Sequence, residues 1–247
     1  MTVTWEELGW ERLADGVGRV RLPGWDCTVG LVAGAGAALM VDAGSSLAEG
    51  ARLRARAREL TGGDVTHLAL THPHFDHVLG AAAFDGAEIL AAEGARTVLG
   101  DARGRAELRE DAVRQRLDAA AAEEAVSALP VPGREVRGRL ALPLGGGREA
   151  VLAELGAAHS THDLAVLVPV PVPGGRPVVF CGDLVEESGE PQAGPDAAPS
   201  RWPAALDRLL ALGGEDALYV PGHGAVVDAA FVRAQRDVLA ARFGVSR

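Results

Sequence analysis

Apolar residues fall in short blocks along most of the chain, and glycine and proline punctuate them. Blocks at 17–22, 28–33 and 37–42 predict three strands, the last running into the turn Asp42-Ala43-Gly44. Residues 51–58 alternate Ala or Leu with Arg, a period that suits a strand. Ala, Leu and Arg are nevertheless strong helix formers, and Leu53, Ala57 and Leu60 share one helical face, so residues 47–60 read as a helix opened by Ser45-Ser46. An apolar run at 65–70 follows, then a short helix at 77–83, a strand at 87–92, a helix at 93–99 and a long Ala-rich helix at 107–129, stopped by Pro130-Val131-Pro132-Gly133. The second half predicts strands at 135–141, 149–155, 164–170, 178–181 and 217–220, with helices at 203–212 and 229–243. Strands, helices, strands, helices is the order, and two halves of that kind would stack as a four-layered sandwich. The polar, Pro- and Gly-rich stretch 186–200 reads as a long loop, either functional or a plain surface excursion.

Composition narrows the function more than the fold. A chain of 247 residues can bury a large core, and its 4% aromatic content leaves Ala, Val, Leu and Gly to fill it. We expect one domain over residues 1–247. The formal charge of −10 argues against nucleic acid, whose phosphates need a basic face. All 24 basic residues are Arg, which we read as genome base composition. Cys27 and Cys181 do not suggest a disulfide framework. The start, from Met1 to Glu7, lacks a signal peptide's basic and apolar regions, and no apolar run reaches membrane-span length. A cytoplasmic protein acting on a small molecule, with no membrane partner, is the expectation; the oligomeric state stays open, a homodimer included.

The chemistry is concentrated in Thr71-His72-Pro73-His74-Phe75-Asp76-His77, which places three imidazoles and a carboxylate in six residues. His72 and His74 are two apart, so an extended backbone points both to one side, and Pro73 favours that backbone. Asp76 and His77 follow where the chain turns, which can aim them at a neighbouring point and suggests two metal positions. A His-rich surface loop is the plain alternative, but His and carboxylate ligation is how zinc sites are built. Three later residues each follow an apolar run: His159 in Gly156-Ala157-Ala158-His159, Asp183 in Cys181-Gly182-Asp183, and His223 in Pro221-Gly222-His223-Gly224. Strand ends gathered on one sheet edge would give such a site rigid supports.

Taken together these motifs resemble the metallo-β-lactamase superfamily, whose HxHxDH motif is matched by His72, His74, Asp76 and His77. The resemblance runs from the Asp42 turn to His223. It implies an α/β fold of the αββα type, with two mixed sheets and helices on the outer faces. It also implies that His72, His74 and His159 hold one metal ion and Asp76, His77 and His223 a second, with Asp183 shared. Two divalent ions, zinc first, would suit these ligands, and iron or manganese would also accept them. The implied reaction is hydrolysis, in which a metal-bridging hydroxide attacks the carbonyl of a lactone, ester, thioester or lactam while Asp76 orients the nucleophile.

Substrates within the superfamily are diverse, so the fold does not settle the substrate. The glutathione-thioesterase, nuclease and Cys-ligand lactamase branches fit less well, because they carry respectively a C-terminal helical region, extra elements and a Cys where this chain shows one helix's worth of residues after His223, no such elements and Asp183. A lactone or other small ester is the least penalised. An iron-dependent oxidoreductase or sulfur dioxygenase of the same fold is the alternative enzyme, and a catalytically idle binding module the alternative of another class. Asp42 reads equally as a carboxylate behind the ligands or a turn former, and His162 as a residue beside the ligands or the substrate. His67, Cys181, Trp25, Trp202 and Tyr219 read more simply as packing, although the three aromatic residues would also suit a pocket; Cys27 has no assigned partner.

Overall fold

The computed structural model describes residues 4–245. The first three residues of the stretch searched for a signal peptide lie outside that range. Among the described residues no helix is long and apolar enough to cross a membrane.

Two mixed sheets face each other. The first has seven strands in chain order: β1 (Glu11–Ala14), β2 (Val17–Arg21), β3 (Thr28–Ala33), β4 (Ala38–Val41), β5 (His67–Ala69), β6 (Glu88–Ala92) and β7 (Arg134–Val136). Antiparallel hairpins join β1 to β4, and parallel pairing carries the sheet on to β7. Between β4 and β5 runs α1 (Leu47–Thr61), and α2 (Phe75–Val78) follows β5. Three more helices, α3 (Ala95–Gly100), α4 (Ala102–Arg114) and α5 (Ala119–Ala128), separate β6 from β7. The second sheet has five strands: β8 (Arg139–Gly145), β9 (Arg148–Glu154), β10 (Leu164–Val168), β11 (Val178–Glu186) and β12 (Leu218–His223), with α6 (Trp202–Gly213) before β12 and α7 (Ala229–Arg242) after it.

Side-chain alternation along the strands sorts the apolar residues into three layers. On β4, Leu39 and Val41 point between the sheets, while Met40 points to the helices. The inter-sheet core adds Val32, Leu90, Leu152, Val166 and Phe180. One outer core seats Leu53 and Ala57 of α1 and Leu108 of α4 against Leu31, Met40 and Leu68. The opposite outer core packs Trp202, Leu206 and Leu209 of α6 and Val232 and Leu239 of α7 against Val179, Cys181 and Tyr219. Helix, sheet, sheet, helix is therefore the layer order, as expected. Strands covered on both faces, such as β4, need no polar face, which is why they read as apolar runs.

Several boundaries differ from expectation. The single helix expected at 107–129 is two, because Arg116 turns left-handed (φ 73°) and Asp118 caps a new helix by accepting from the N–H groups of Ala120 and Ala121. The strand expected at 135–141 is divided between the sheets at Gly138 (φ 63°), so β7 and β8 belong to different layers. The helix expected to begin at His77 begins at Phe75 and ends at Val78, with a separate 3-10 turn at Ala81–Ala83. The strand β11 does not stop at Cys181. It continues through a kink at Gly182, so Asp183 lies within it and not at its end.

Candidate metal centre

The parallel strands β4 and β5 end side by side, and the backbone beyond β5 carries His72 to His77 across that edge. His74 is extended (φ −99°, ψ 151°) and sits at the start of α2. That short helix is seated by Phe75, whose ring is buried and meets Trp25 edge-to-face at 5.3 Å. From the other sheet come His159 on the β9–β10 connection, Asp183 on the kinked part of β11 and His223 at the end of β12. Two glycines permit the approach. Gly182 (φ 53°) lies where a Cβ would press on the Thr71 side chain at 2.8 Å, and a Cβ at Gly222 would fall on the Asp183 carboxylate.

All seven expected donors meet. Asp183 is central: its Oδ1 lies 3.2 Å from His77 Nε2, and its Oδ2 lies 3.3 Å from His223 Nε2, 3.5 Å from His159 Nε2 and 3.7 Å from His72 Nε2. His159 Nε2 and His74 Nδ1 face each other at 3.0 Å. Asp76 Oδ2 lies 3.4 Å from His223 Nε2 and 3.5 Å from His77 Nε2. His72, His74, His159 and Asp183 form one group that can hold a cation, and His77, Asp183 and His223 form another.

The outward nitrogens show which atoms are left for a ligand. His223 Nδ1 donates to the Trp25 carbonyl at 2.7 Å. His77 Nδ1 donates to Asp42 Oδ2 at 2.9 Å, and His74 Nε2 to Asp196 Oδ2 at 3.0 Å. The Thr71 hydroxyl donates to Asp42, so it accepts from His72 Nδ1 at 3.0 Å. In each case the nitrogen facing the cluster is the one left to bind a metal, and an outer partner holds the ring. His72 Nε2 and Asp183 Oδ1 are buried without a hydrogen-bond partner. An imidazole nitrogen and a carboxylate oxygen orphaned side by side fit a cation, since otherwise each would cost free energy.

Charge divides the cluster. Burial, with His77 nearby, pushes His72 well below the usual imidazole range, and burial takes His159 down to about 4. Burial opposes the charged form of His223 too, but Asp183 outweighs it and raises that imidazole to about 9. His77 is also raised, against burial, by the three carboxylates around it, Asp183, Asp76 and Asp42. Asp183 is held well below the carboxylate range, against burial, by its histidine neighbours, His77 first.

Asp42 acts both as a turn residue and as a support. It is left-handed (φ 65°), and its carboxylate accepts from the Thr71 N–H and hydroxyl and from His77. His162 lies elsewhere: it donates to the Glu93 carbonyl at 2.7 Å, and its ring packs against Gly94. Two carboxylates escaped the sequence reading. Asp163 is buried and ties the loop carrying His159 by accepting from the N–H groups of Ala158 and Ser160 and the Ser160 hydroxyl. Asp196 comes from the 186–200 stretch, and nothing local separates it from other loop aspartates; Asp163 had a faint signal, three residues after Ser160. The buried Cys27 thiol lies 3.6 Å from His77 Nδ1, and burial pushes it up to about 12, so it remains protonated. His67 meets Thr66 at 2.8 Å and Glu88 at 3.8 Å. Trp25 lines the cleft above the cluster, whereas Trp202 and Tyr219 are fully buried. Trp202 still meets His159 edge-on at 5.3 Å.

A family model described as the metallo-beta-lactamase superfamily matches residues 22–223. No curated protein matches the chain. Among solved structures, the metallo-beta-lactamase from Pontibacter korlensis superposes with a TM-score of 0.68 at 17% identity, covering 93% of this chain and 97% of that one. The metallo beta lactamase from Hirschia baltica gives 0.66 at 16% identity, covering 93% and 96%. The mono-zinc form of FIM-1 from Pseudomonas aeruginosa gives 0.68 at 17%, covering 96% of each. At such identities the likeness is one of fold.

Proposed function

Because the chain belongs to the metallo-β-lactamase superfamily, we propose that it is a metal-dependent hydrolase of small carbonyl substrates with a dinuclear, zinc-type site. The observation that carries this reading is the convergence of five histidines and two carboxylates, with the outward nitrogens of His72, His74, His77 and His223 already engaged and His72 Nε2 and Asp183 Oδ1 buried without partners. His72, His74 and His159 would hold one ion, Asp76, His77 and His223 the other, and Asp183 would touch both. Two such ions supply an acidified water and polarise the carbonyl to be attacked. The protein's part is positional. Asp76 is 7% exposed and lines the floor of the cleft, where it would take a proton from the attacking water and pass that same proton to the leaving group. Trp25 and Phe75 put an apolar surface beside it, which holds the substrate and keeps bulk water away.

Metal content of the purified protein, measured alongside hydrolysis of lactones, esters, thioesters, β-lactams and phosphodiesters, tests this reading. Near two equivalents of a divalent metal with cleavage of a carbonyl substrate is the expected result. One equivalent of iron with no hydrolysis would favour oxygenase chemistry, and a preference for phosphodiesters would overturn the carbonyl assignment.

A further inference from the structure

The cleft over the metal centre holds about 1050 Å³, between α4 on one side and the segment following β11 on the other. Its walls carry two arginines, and both are already paired: Arg103 with Glu107 at 2.8 Å and Arg114 with Asp111 at 2.7 Å. Four further carboxylates line it without an arginine. Glu110 and Glu190 form no ion pair among the described residues; Glu186 is hydrogen-bonded to Ser188, and Asp196 is engaged by His74. Two dications over Asp76 and Asp183 would leave a surplus of two positive charges on the floor. Glu110 and Glu190 put two unpaired carboxylates around it, beside Glu186, which is hydrogen-bonded to Ser188, and Asp196, which is held by His74. The floor is where a ligand is called for, because His72 Nε2 and Asp183 Oδ1 are buried there unpartnered.

A substrate's reacting carbonyl belongs at the floor, and the rest of the molecule lies along the walls. An anionic group there would meet mostly carboxylates, and the two arginines of the walls are each already shared with a carboxylate, Glu107 and Asp111. A cationic group would meet Glu110 or Glu190, and the Trp25 indole, which also lines the cleft, is a second favourable partner for an alkylammonium. From this we infer that the enzyme's substrates are carbonyl compounds bearing a cationic substituent, such as an ammonium group, and that anionic analogues are turned away. The inference rests on the hydrolase reading for the nature of the reacting group and on the cleft alone for its charge preference.

The test uses the metal-loaded protein and three matched aryl esters whose acyl chain ends in trimethylammonium, tert-butyl or sulfonate. The cationic ester should exceed the anionic one in kcat/KM by about tenfold or more at low salt, with the neutral ester between them. The gap should narrow near 1 M salt, where the screening length falls to about 3 Å. In the E110Q/E190Q double variant the cationic-to-anionic ratio should fall toward one. Equal or faster cleavage of the sulfonate ester, or a ratio unmoved by the double variant, overturns the inference. The same three end groups on non-hydrolysable amides, titrated by calorimetry, read the preference without turnover. If no ester is cleaved and the cationic amide still binds tightest, the hydrolase reading fails and the charge preference stands. If the sulfonate amide binds as well, the charge preference fails whatever the chemistry.

Discussion

The seven-stranded sheet contributes His72, His74, Asp76 and His77 from one continuous stretch beyond β5, whereas the five-stranded sheet contributes His159, Asp183 and His223 from three separate places. The first set is shaped locally, by Pro73 and the short helix α2, and one buried carboxylate, Asp42, braces it through Thr71 and His77. The second set has no common brace. It depends on the parallel register of β11 and β12, on the kink at Gly182 and on the space left at Gly222. The two sets divide in another way as well. His72 and His159 lose their protons on burial, while His77 and His223 keep theirs beside the carboxylates. Those protons offset the charge of Asp183.

If the second sheet supplies the shared ligand, Asp183→Ala should have the largest effect of any single change. It removes the neighbour of four imidazoles, so both ions and all hydrolysis should be lost together, by elemental analysis and kinetics. A protein that kept two metal equivalents would break the comparison. Next in size is Gly222→Ala, which places a methyl where the Asp183 carboxylate stands. We expect most metal and activity to go, with a stability loss of about 1–3 kcal/mol by denaturant titration, typical of overpacking. A smaller loss is expected on the first sheet from Asp42→Asn, which tolerates the left-handed backbone but cannot accept the same set of hydrogen bonds. Losing such a support typically costs about 10- to 100-fold in metal affinity, and competition with a chromogenic chelator measures it. An effect equal to that of Asp183→Ala would mean that Asp42 supports the whole cluster and not one side of it.

The smallest effect is one of pH. Below about 9 His223 carries a proton that a metal ion must displace. Affinity at the His77–His223 position should therefore rise as pH rises, by up to about tenfold per unit for each proton displaced. His159 is already neutral above about 4, so the other position should respond less steeply, with His74, raised by its hydrogen bond to Asp196 against the pull of burial, contributing the main proton there. Calorimetric metal titrations in buffers of differing ionisation enthalpy, between about pH 6 and 8, count the protons released at each position. Equal slopes at the two positions would remove the distinction.

Much of this was legible from residue order. The layered core followed from apolar periodicity, because a strand buried on both faces must be apolar throughout, as β4 is. The donors followed from the crowding of His72 to His77 and from the position of each later donor after an apolar run. Where the reading went astray, the deciding event was a single residue's backbone. Arg116 and Gly138 turn left-handed and divide elements whose composition is continuous across them. The strand β11 outlasts its apolar run because pairing with β12 carries it through Gly182.

Residue identity and spacing by themselves determined the chemistry of the donor set and the number of layers, since both are properties of short windows. Only the tertiary structure decided how the windows meet. It selected which nitrogen of each imidazole faces inward, through partners as distant in sequence as Trp25 for His223 and Asp196 for His74. It placed Asp42 against His77 and left His162 on the Glu93 carbonyl. It also paired both arginines of the cleft with neighbouring carboxylates, leaving Glu110 and Glu190 without an ion pair among the described residues. The physical reason is common to all of these. Hydrogen bonds and charge pairs reach only a few ångströms, so their partners are chosen by the packing of two sheets and not by order along the chain.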